Sequence, residues 1–180
     1  MAQYGTRHGH AAGKLEAMLR SPDVDFAGVY EPDAERRRAL VQGGGIWRDA
    51  GWLESREALL ADRSIQAVAS EGRNDESLEQ TEAIVGAGKH VWYDKPGGDD
   101  WERWCALCED VGTRTLHLQM GYMLRYHDGF RRIAEWVRSG LLGDVYSIRA
   151  QMSTGLSVDQ RSVIAVHRGG ILFDLGAHML

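Results

Sequence analysis

The sequence predicts an α/β fold, a doubly wound parallel sheet covered by helices on both faces, followed by an incomplete α+β second domain. Three observations carry that expectation. Up to Met120, short apolar runs alternate with amphipathic stretches, the pattern of strands joined by crossover helices. A glycine-bearing turn, Gly5-Thr6-Arg7-His8-Gly9-His10, follows the first run and opens a helix. Beyond Gly121 the alternation stops, and an amphipathic helix leads into a strand pattern with one polar face.

Taken in order, Met1–Tyr4 is a strand stub and Ala11–Arg20 a helix. Val24–Tyr30 reads as the second strand and Asp33–Val41 as a helix with Asp33 near its N-terminus. Gly43-Gly44-Gly45 forms a loop before the apolar pair Ile46-Trp47. A helix over Ser55–Ala61 precedes the buried-strand run Ile65–Ser70. The helix Glu76–Ala87 stops at Gly88, a residue suited to helix ends. Strand His90–Tyr93, helix Asp99–Val111 and strand Thr115–Met120 complete the first domain, residues 1–121. In residues 122–180, a helix over Gly129–Ser139 is followed by a strand over Val145–Ser153 and, after Gly169-Gly170, a helix running to Leu180. One strand and two helices do not bury a sheet face unaided, so this second domain reads as unfinished.

Composition excludes several classes of function. The chain has 180 residues, 43% of them hydrophobic and 26% charged, the balance of a globular protein. A net charge of −5 gives no reason to expect a nucleic-acid partner, and the basic run Arg36-Arg37-Arg38 is diluted by Asp33 and Glu35. No apolar run reaches membrane-span length and no leader pattern opens the chain, so a cytoplasmic protein without a membrane partner is expected. Cys105 and Cys108 form a lone CxxC, readable as a redox pair or half a zinc site. Lying in a helical pattern with Trp101 and Trp104, they read better as two packing thiols.

The chemistry begins at the first turn. Glycine there lets backbone N–H groups approach a pyrophosphate at a helix N-terminus. Of a G-x-G-x-x-G pattern only Gly5 is in register, with Arg7 and His10 at the other two glycine positions and Gly9 one place early. Glu31, 22 residues after Gly9, closes the second strand. An acid at that point accepts hydrogen bonds from ribose hydroxyls and favours NAD, while the neighbouring arginines leave NADP open. The bland alternative makes Glu31 a solvated loop residue. His8-x-His10 also permits a rival reading, a metal-dependent hydrolase whose ligand set Lys95, Asp174 and His178 would complete. The surrounding glycines and the following helix favour the phosphate turn, and no metal is expected.

Gly88-Lys89-His90-Val91-Trp92-Tyr93-Asp94-Lys95-Pro96 resembles the A-G-K-H-V-x-x-E-K-P stretch of the glucose–fructose oxidoreductase/inositol dehydrogenase family. Gly121-Tyr122-Met123-Leu124-Arg125-Tyr126 is similar to that family's segment between domains. Gly169-Gly170-Ile171-Leu172-Phe173-Asp174-Leu175-Gly176-Ala177-His178 is similar to its G-G-x-x-x-D-x-G-x-H. The resemblance spans essentially the whole chain and implies a Rossmann-type first domain with an NAD(P)-dependent oxidoreductase activity on a sugar, polyol or related hydroxyl compound. It implies that Lys95 and His178, with Asp174, form the catalytic set, and that the full-length form is a homo-oligomer.

These residue types suit such chemistry. Oxidising an alcohol sends hydride from carbon while a base takes the hydroxyl proton. Lys95 can stabilise developing charge on that oxygen, and Pro96 would fix the backbone beside it. His178 titrates nearest neutrality and Asp174, four residues earlier, shares its face on a helix. Arg125 is the candidate anchor for a polar or anionic substrate, or else a structural residue at the domain junction. The cofactor set implied is Gly5, Thr6, Arg7, His8, Gly9, His10, Glu31, Ser70, Asn74, Asp94, Lys95 and Pro96. The substrate set is Lys95, Arg125, Asp174 and His178. Three departures stand out: Asp94 replaces a usual glutamate, Ser77 stands where histidine is common, and family members are roughly twice this length. A cofactor-binding chain without catalysis is therefore the second alternative.

Overall fold

The computed structural model describes residues 1–165 and 169–178. Five parallel strands form one sheet in the order β2-β1-β3-β4-β5: β1 Ala2–Tyr4, β2 Gly28–Tyr30, β3 Ala67–Ser70, β4 His90–Tyr93 and β5 Leu118–Met120. The helices between them are α1 Ala11–Arg20, α2 Ala34–Gly43, α3 Arg56–Ala61, α4 Ser77–Gly86 and α5 Trp101–Thr113. A single parallel bridge from Val29 to Trp52 adds a sixth, rudimentary strand outside β2. The chain thus winds outward from β1 in one direction, returns, and winds outward through β3 in the other. That is the doubly wound arrangement, with its reversal point between β1 and β3.

The sheet is short but dry. Ala2, Val29, Val68, Ala69 and Tyr93 are fully buried, and Leu59, Ile84 and Val85 pack against the sheet from the helices. Burial on both faces removes the need for alternation, which is why these strands read as continuous apolar runs. The second strand begins at Gly28, not Val24. Before it, Ala27 donates to the carbonyl of Met1 and the ladder with β1 starts only at the Ala2–Gly28 pair.

Helix ends explain the other boundaries. The Asp33 carboxylate accepts from the N–H groups of Glu35 and Arg36, fixing the start of α2. Helix α4 closes with Gly88 at φ 75°, its N–H on Val85 O and that of Lys89 on Ile84 O. This is the paired closure in which a left-handed residue satisfies the last carbonyls. Helix α5 closes identically through Thr115 N–H to Gly112 O and Leu116 N–H to Val111 O, but Thr115 takes φ 56°. The segment Thr115–Leu116 is therefore spent on the closure, and β5 begins at Leu118 instead of Thr115. A β-branched residue is strained there, so Thr115→Gly is expected to stabilise the chain by about 1 kcal/mol. A thermal midpoint that fails to rise would contradict the assigned closure.

The CxxC expectation is corrected. Cys105 and Cys108 are both exposed, unpaired thiols on α5. The inward stripe of that helix runs through Trp104, Leu107 and Val111, and Trp101 is 74% exposed. The apolar stripe is therefore rotated from the one that Trp101, Trp104, Cys105 and Cys108 suggest, and the thiols do not pack.

The chain divides into two compact units, Met1–Met120 and Gly121–Leu180. The second holds α6 Asp128–Arg138, α7 Val158–Ala165, a short 3-10 turn over Met123–Tyr126 and a π-helical turn over Leu172–Gly176. The strand expected over Val145–Ser153 is absent: the segment has no regular structure, and Tyr146 and Ile148 are 98% and 83% exposed. A strand needs a neighbour to take its backbone hydrogen bonds, and no strand lies in the second unit among the described residues. The helix expected to reach Leu180 is a π turn ending at Gly176, and Leu180 itself lies outside the described residues.

Candidate functional site

Parallel strands deliver their C-terminal ends to one edge of the sheet, and the candidate residues of the first unit sit there. The turn Gly5–His10 follows β1, Glu31 follows β2, Ser70 ends β3, and Asp94, Lys95 and Pro96 follow β4. Gly5 takes φ 84°, and a Cβ on it would lie 2.9 Å from both Glu71 C and Gly72 N. The glycine is required by the close approach of two backbones at the reversal point. Gly9, by contrast, faces open space. The N–H groups of Arg7 and His8 both donate to Glu71 O at 3.0 Å, and that of His10 to His8 Nδ1 at 3.2 Å. Three donors of the turn are thus used inside the protein.

Beside Gly5 lies a cleft of about 540 Å³, lined among others by Arg7, Glu31, Asp33, Gly72 and Glu76. Glu31 is buried; one carboxylate oxygen accepts from Thr6 Oγ1 at 2.6 Å and the other from the Asp33 N–H at 3.0 Å. Arg36 holds Thr6 from the far side, Nε to Oγ1 and Nη2 to the carbonyl, both at 2.7 Å. Arg7 pairs with Asp33 at 2.7 Å and reaches Glu76 at 3.9 Å. Across the cleft, Ser70 is fully enclosed, its hydroxyl bonded to Thr81 and Gln80, while Gln80 Oε1 also takes the Gly72 N–H. Asn74 is half-buried, and its carbonyl accepts from Ser77 Oγ. Ser77 is buried against Tyr93 Oη at 3.1 Å, in a space that suits a small hydroxyl side chain.

On the other side of the turn stands a cluster of charges that the sequence reading missed. Lys14 of α1 places Nζ 2.5 Å from Glu71 Oε1, 3.4 Å from Asp94 Oδ2 and 4.7 Å from the centre of the Trp92 ring. His10 Nδ1 lies 3.0 Å and His8 Nδ1 3.4 Å from that same Asp94 Oδ2. His8 Nδ1 is also 3.6 Å from Glu71 Oε2. Burial lowers the His8 pKa to about 4, so the ring is neutral near pH 7. Burial pushes Glu71 up to about 7 against the pull of Lys14. For Asp94 burial works upward too, but the His10 hydrogen bond, Lys14 and both imidazoles outweigh it and hold the carboxyl well below its usual range. His10 is raised by its bond to Asp94. A signal for Lys14 existed: it lies on the stripe Ala11, Lys14, Leu15, Met18 that α1 buries, where an unpaired charge would not be tolerated. Glu71 had only its place one residue beyond a buried strand.

Lys95 is buried, at 5% exposure, as an ordinary surface lysine would not be. Its N–H donates to Asp94 Oδ1 at 2.8 Å, and the bond to the buried Pro96 is cis. In the second unit, Arg125 lies exposed in the 3-10 turn. Asp174 sits in the π-helical turn, and His178 follows it with its N–H on Leu175 O. Asp174 and His178 are thus not on one α-helical face as expected; the wider π winding and the turn after Gly176 carry them. Such π insertions recur at functional sites.

No protein-family model matches the chain. Comparison with curated proteins finds an uncharacterized oxidoreductase of Rhizobium meliloti, 30% identical over 166 residues, covering 91% of this chain and 48% of the relative. A D-xylose 1-dehydrogenase (NADP(+)) of Haloferax volcanii is 30% identical over 165 residues, with 89% and 49% covered. An inositol 2-dehydrogenase of Saccharopolyspora erythraea is 27% identical over 121 residues, with 67% and 35% covered. Among solved structures, an NAD-binding protein from Listeria innocua superposes with a TM-score of 0.78 at 26% identity, over 99% of this chain and 51% of that one. The chain spans about half the length, or less, of the curated relatives it matches.

Proposed function

We propose that the chain belongs to the glucose–fructose oxidoreductase/inositol dehydrogenase family of oxidoreductases and carries the cofactor-binding half of an NAD(P)-dependent dehydrogenase acting on a sugar, polyol or related hydroxyl compound, a reading supported by its likeness to an oxidoreductase, an inositol dehydrogenase and an NAD-binding protein. The observation that supports this most directly is the cleft at the reversal point of the sheet, with Gly5 on one wall and the fixed Glu31 carboxylate on another. Ligands of doubly wound sheets bind at that point, beyond the strand ends. Residues 1–121 form the dinucleotide domain in this reading and 122–180 the start of a substrate domain.

Gly5 through His10, Glu31, Ser70, Asn74 and Asp94–Pro96 would hold the cofactor, Ser70 by shaping the wall through Gln80 and Thr81. When bound, the nicotinamide supplies or accepts the hydride. Lys95 steadies negative charge on the reacting oxygen, its backbone held by the bond from its N–H to the Asp94 carboxylate. His178 moves the hydroxyl proton, Asp174 orients the substrate, and Arg125 meets its polar groups. The preference is for NAD over NADP. Glu31, Asp33 and Glu76 line the cleft, and Arg7 already pairs with Asp33, so a 2′-phosphate would meet mostly like charge.

Titration of the chain with NADH and NADPH, followed through tryptophan quenching, tests the reading. Saturable NADH binding, weakened at least about 10-fold by Glu31→Ala, is expected from loss of hydrogen bonds to a charged group. A folded chain that binds neither dinucleotide would defeat it.

A further inference from the structure

The turn after β1 brings two imidazoles to a single carboxylate oxygen, and the geometry is that of a ligand set. Asp94 Oδ2 lies 3.0 Å from His10 Nδ1 and 3.4 Å from His8 Nδ1, and His8 Nδ1 lies 3.6 Å from Glu71 Oε2. Around a tetrahedral zinc ion with bonds near 2.0–2.1 Å, neighbouring ligand atoms stand about 3.3 Å apart. These three edges fall within a few tenths of an ångström of that spacing, and the ligand atoms of His8, His10 and Asp94 all lie within 4.8 Å of one another.

A second observation concerns the buried carboxylate beside them. Glu71 is fully buried, and neither of its carboxylate oxygens accepts a hydrogen bond of regular geometry. Lys14 reaches Oε1 as an ion pair, which leaves Oε2 facing His8. His8 Nδ1 lies 3.2 Å from the His10 backbone N, 3.4 Å from Asp94 Oδ2 and 3.6 Å from Glu71 Oε2, so its one lone pair accepts the His10 N–H here and would have to turn from it to ligate. Lys14 supplies positive charge to Glu71 Oε1 and, at 3.4 Å, to Asp94 Oδ2, whereas Glu71 Oε2 faces the His8 ring.

We propose that His8, His10 and Asp94 bind one divalent transition-metal ion of the zinc class, with Glu71 Oε2 as the buried carboxylate completing its surroundings. Two imidazoles favour zinc, cobalt or nickel over magnesium or calcium, which prefer oxygen ligands throughout. The ion would tie the turn after β1 to the ends of β3 and β4. This goes beyond dinucleotide binding and does not depend on it.

The test is a titration of the metal-stripped 180-residue chain with zinc alone, by competition with a chromogenic chelator. Cys105→Ser/Cys108→Ser is used as the background, because an exposed thiol pair can take zinc by itself. One ion per chain is expected. His10→Ala should weaken its binding at least about 100-fold by removing one of three ligands, whereas His90→Ala, outside the cluster, should leave it unchanged. The His10 side chain is 46% exposed, so its loss spares the fold, which circular dichroism checks. Cobalt in place of zinc should show four-coordinate visible absorption that His10→Ala abolishes. No saturable zinc binding by the folded chain, or binding indifferent to His10→Ala, overturns the proposal and means that Lys14 alone neutralises the carboxylates. Either of those results leaves the NADH titration standing on its own.

Discussion

Replacing Gly5 by alanine is expected to destabilise the first unit by at least about 3 kcal/mol. Two costs combine. An L-residue at φ 84° pays for a left-handed backbone, on the order of 1–2 kcal/mol. The new Cβ would also stand 2.9 Å from Glu71 C and Gly72 N, which are backbone atoms that no rotamer change can move. Relief requires β1 and β3 to separate, breaking a pairing that runs through Ala2, Gln3 and Tyr4. Urea unfolding read by tryptophan emission measures the effect. A variant with an unchanged midpoint would mean that the two backbones do not approach this closely. Gly9→Ala is the control: its Cβ meets nothing within 4 Å, and its effect should be small.

The second large effect is expected at Lys14. Its side chain is 6% exposed and Glu71 not exposed at all, so Lys14→Met leaves Glu71 and Asp94 sharing a buried site without their ammonium. Removing one partner of a buried pair costs about 3–5 kcal/mol, far more than the pair contributes against an apolar replacement. The double variant Lys14→Met/Glu71→Gln should therefore recover much of the loss, since it removes the orphaned charge as well. A double variant no more stable than Lys14→Met would show that the lysine acts through packing against Trp92, over which its ammonium lies.

These two residues mark the boundary of what the sequence disclosed. Helix Ala11–Arg20 and strand His90–Tyr93 have the limits that their patterns predict. The Asp33 cap and the Gly88 closure are equally local, side chain or glycine acting on backbone a few residues away. Thr115 hid its closure, since a threonine gives no hint of a left-handed conformation. The stripe of α5 was misplaced by one rotation, because the faces Trp101–Trp104–Cys105–Cys108 and Trp104–Leu107–Val111 overlap and only the packed sheet chooses between them.

By itself the sequence determined the alternation of strands and helices and the parallel sheet that follows from it, and its ordered motifs around Gly5, Lys95 and His178 carry the resemblance to a family. Tertiary structure alone decided why Gly5 must be glycine, which partners hold Glu31, and that Lys14, Glu71, His8, His10 and Asp94 form one cluster. It also decided that Val145–Ser153 is no strand. The physical reason is the range of the interactions. Periodicity, caps and turns act over a few residues and leave their mark in the order of side chains. The close approach of β1 and β3, and the charges gathered from α1, β3 and β4, join positions as far apart as His10 and Asp94. No local pattern records which of those side chains will meet.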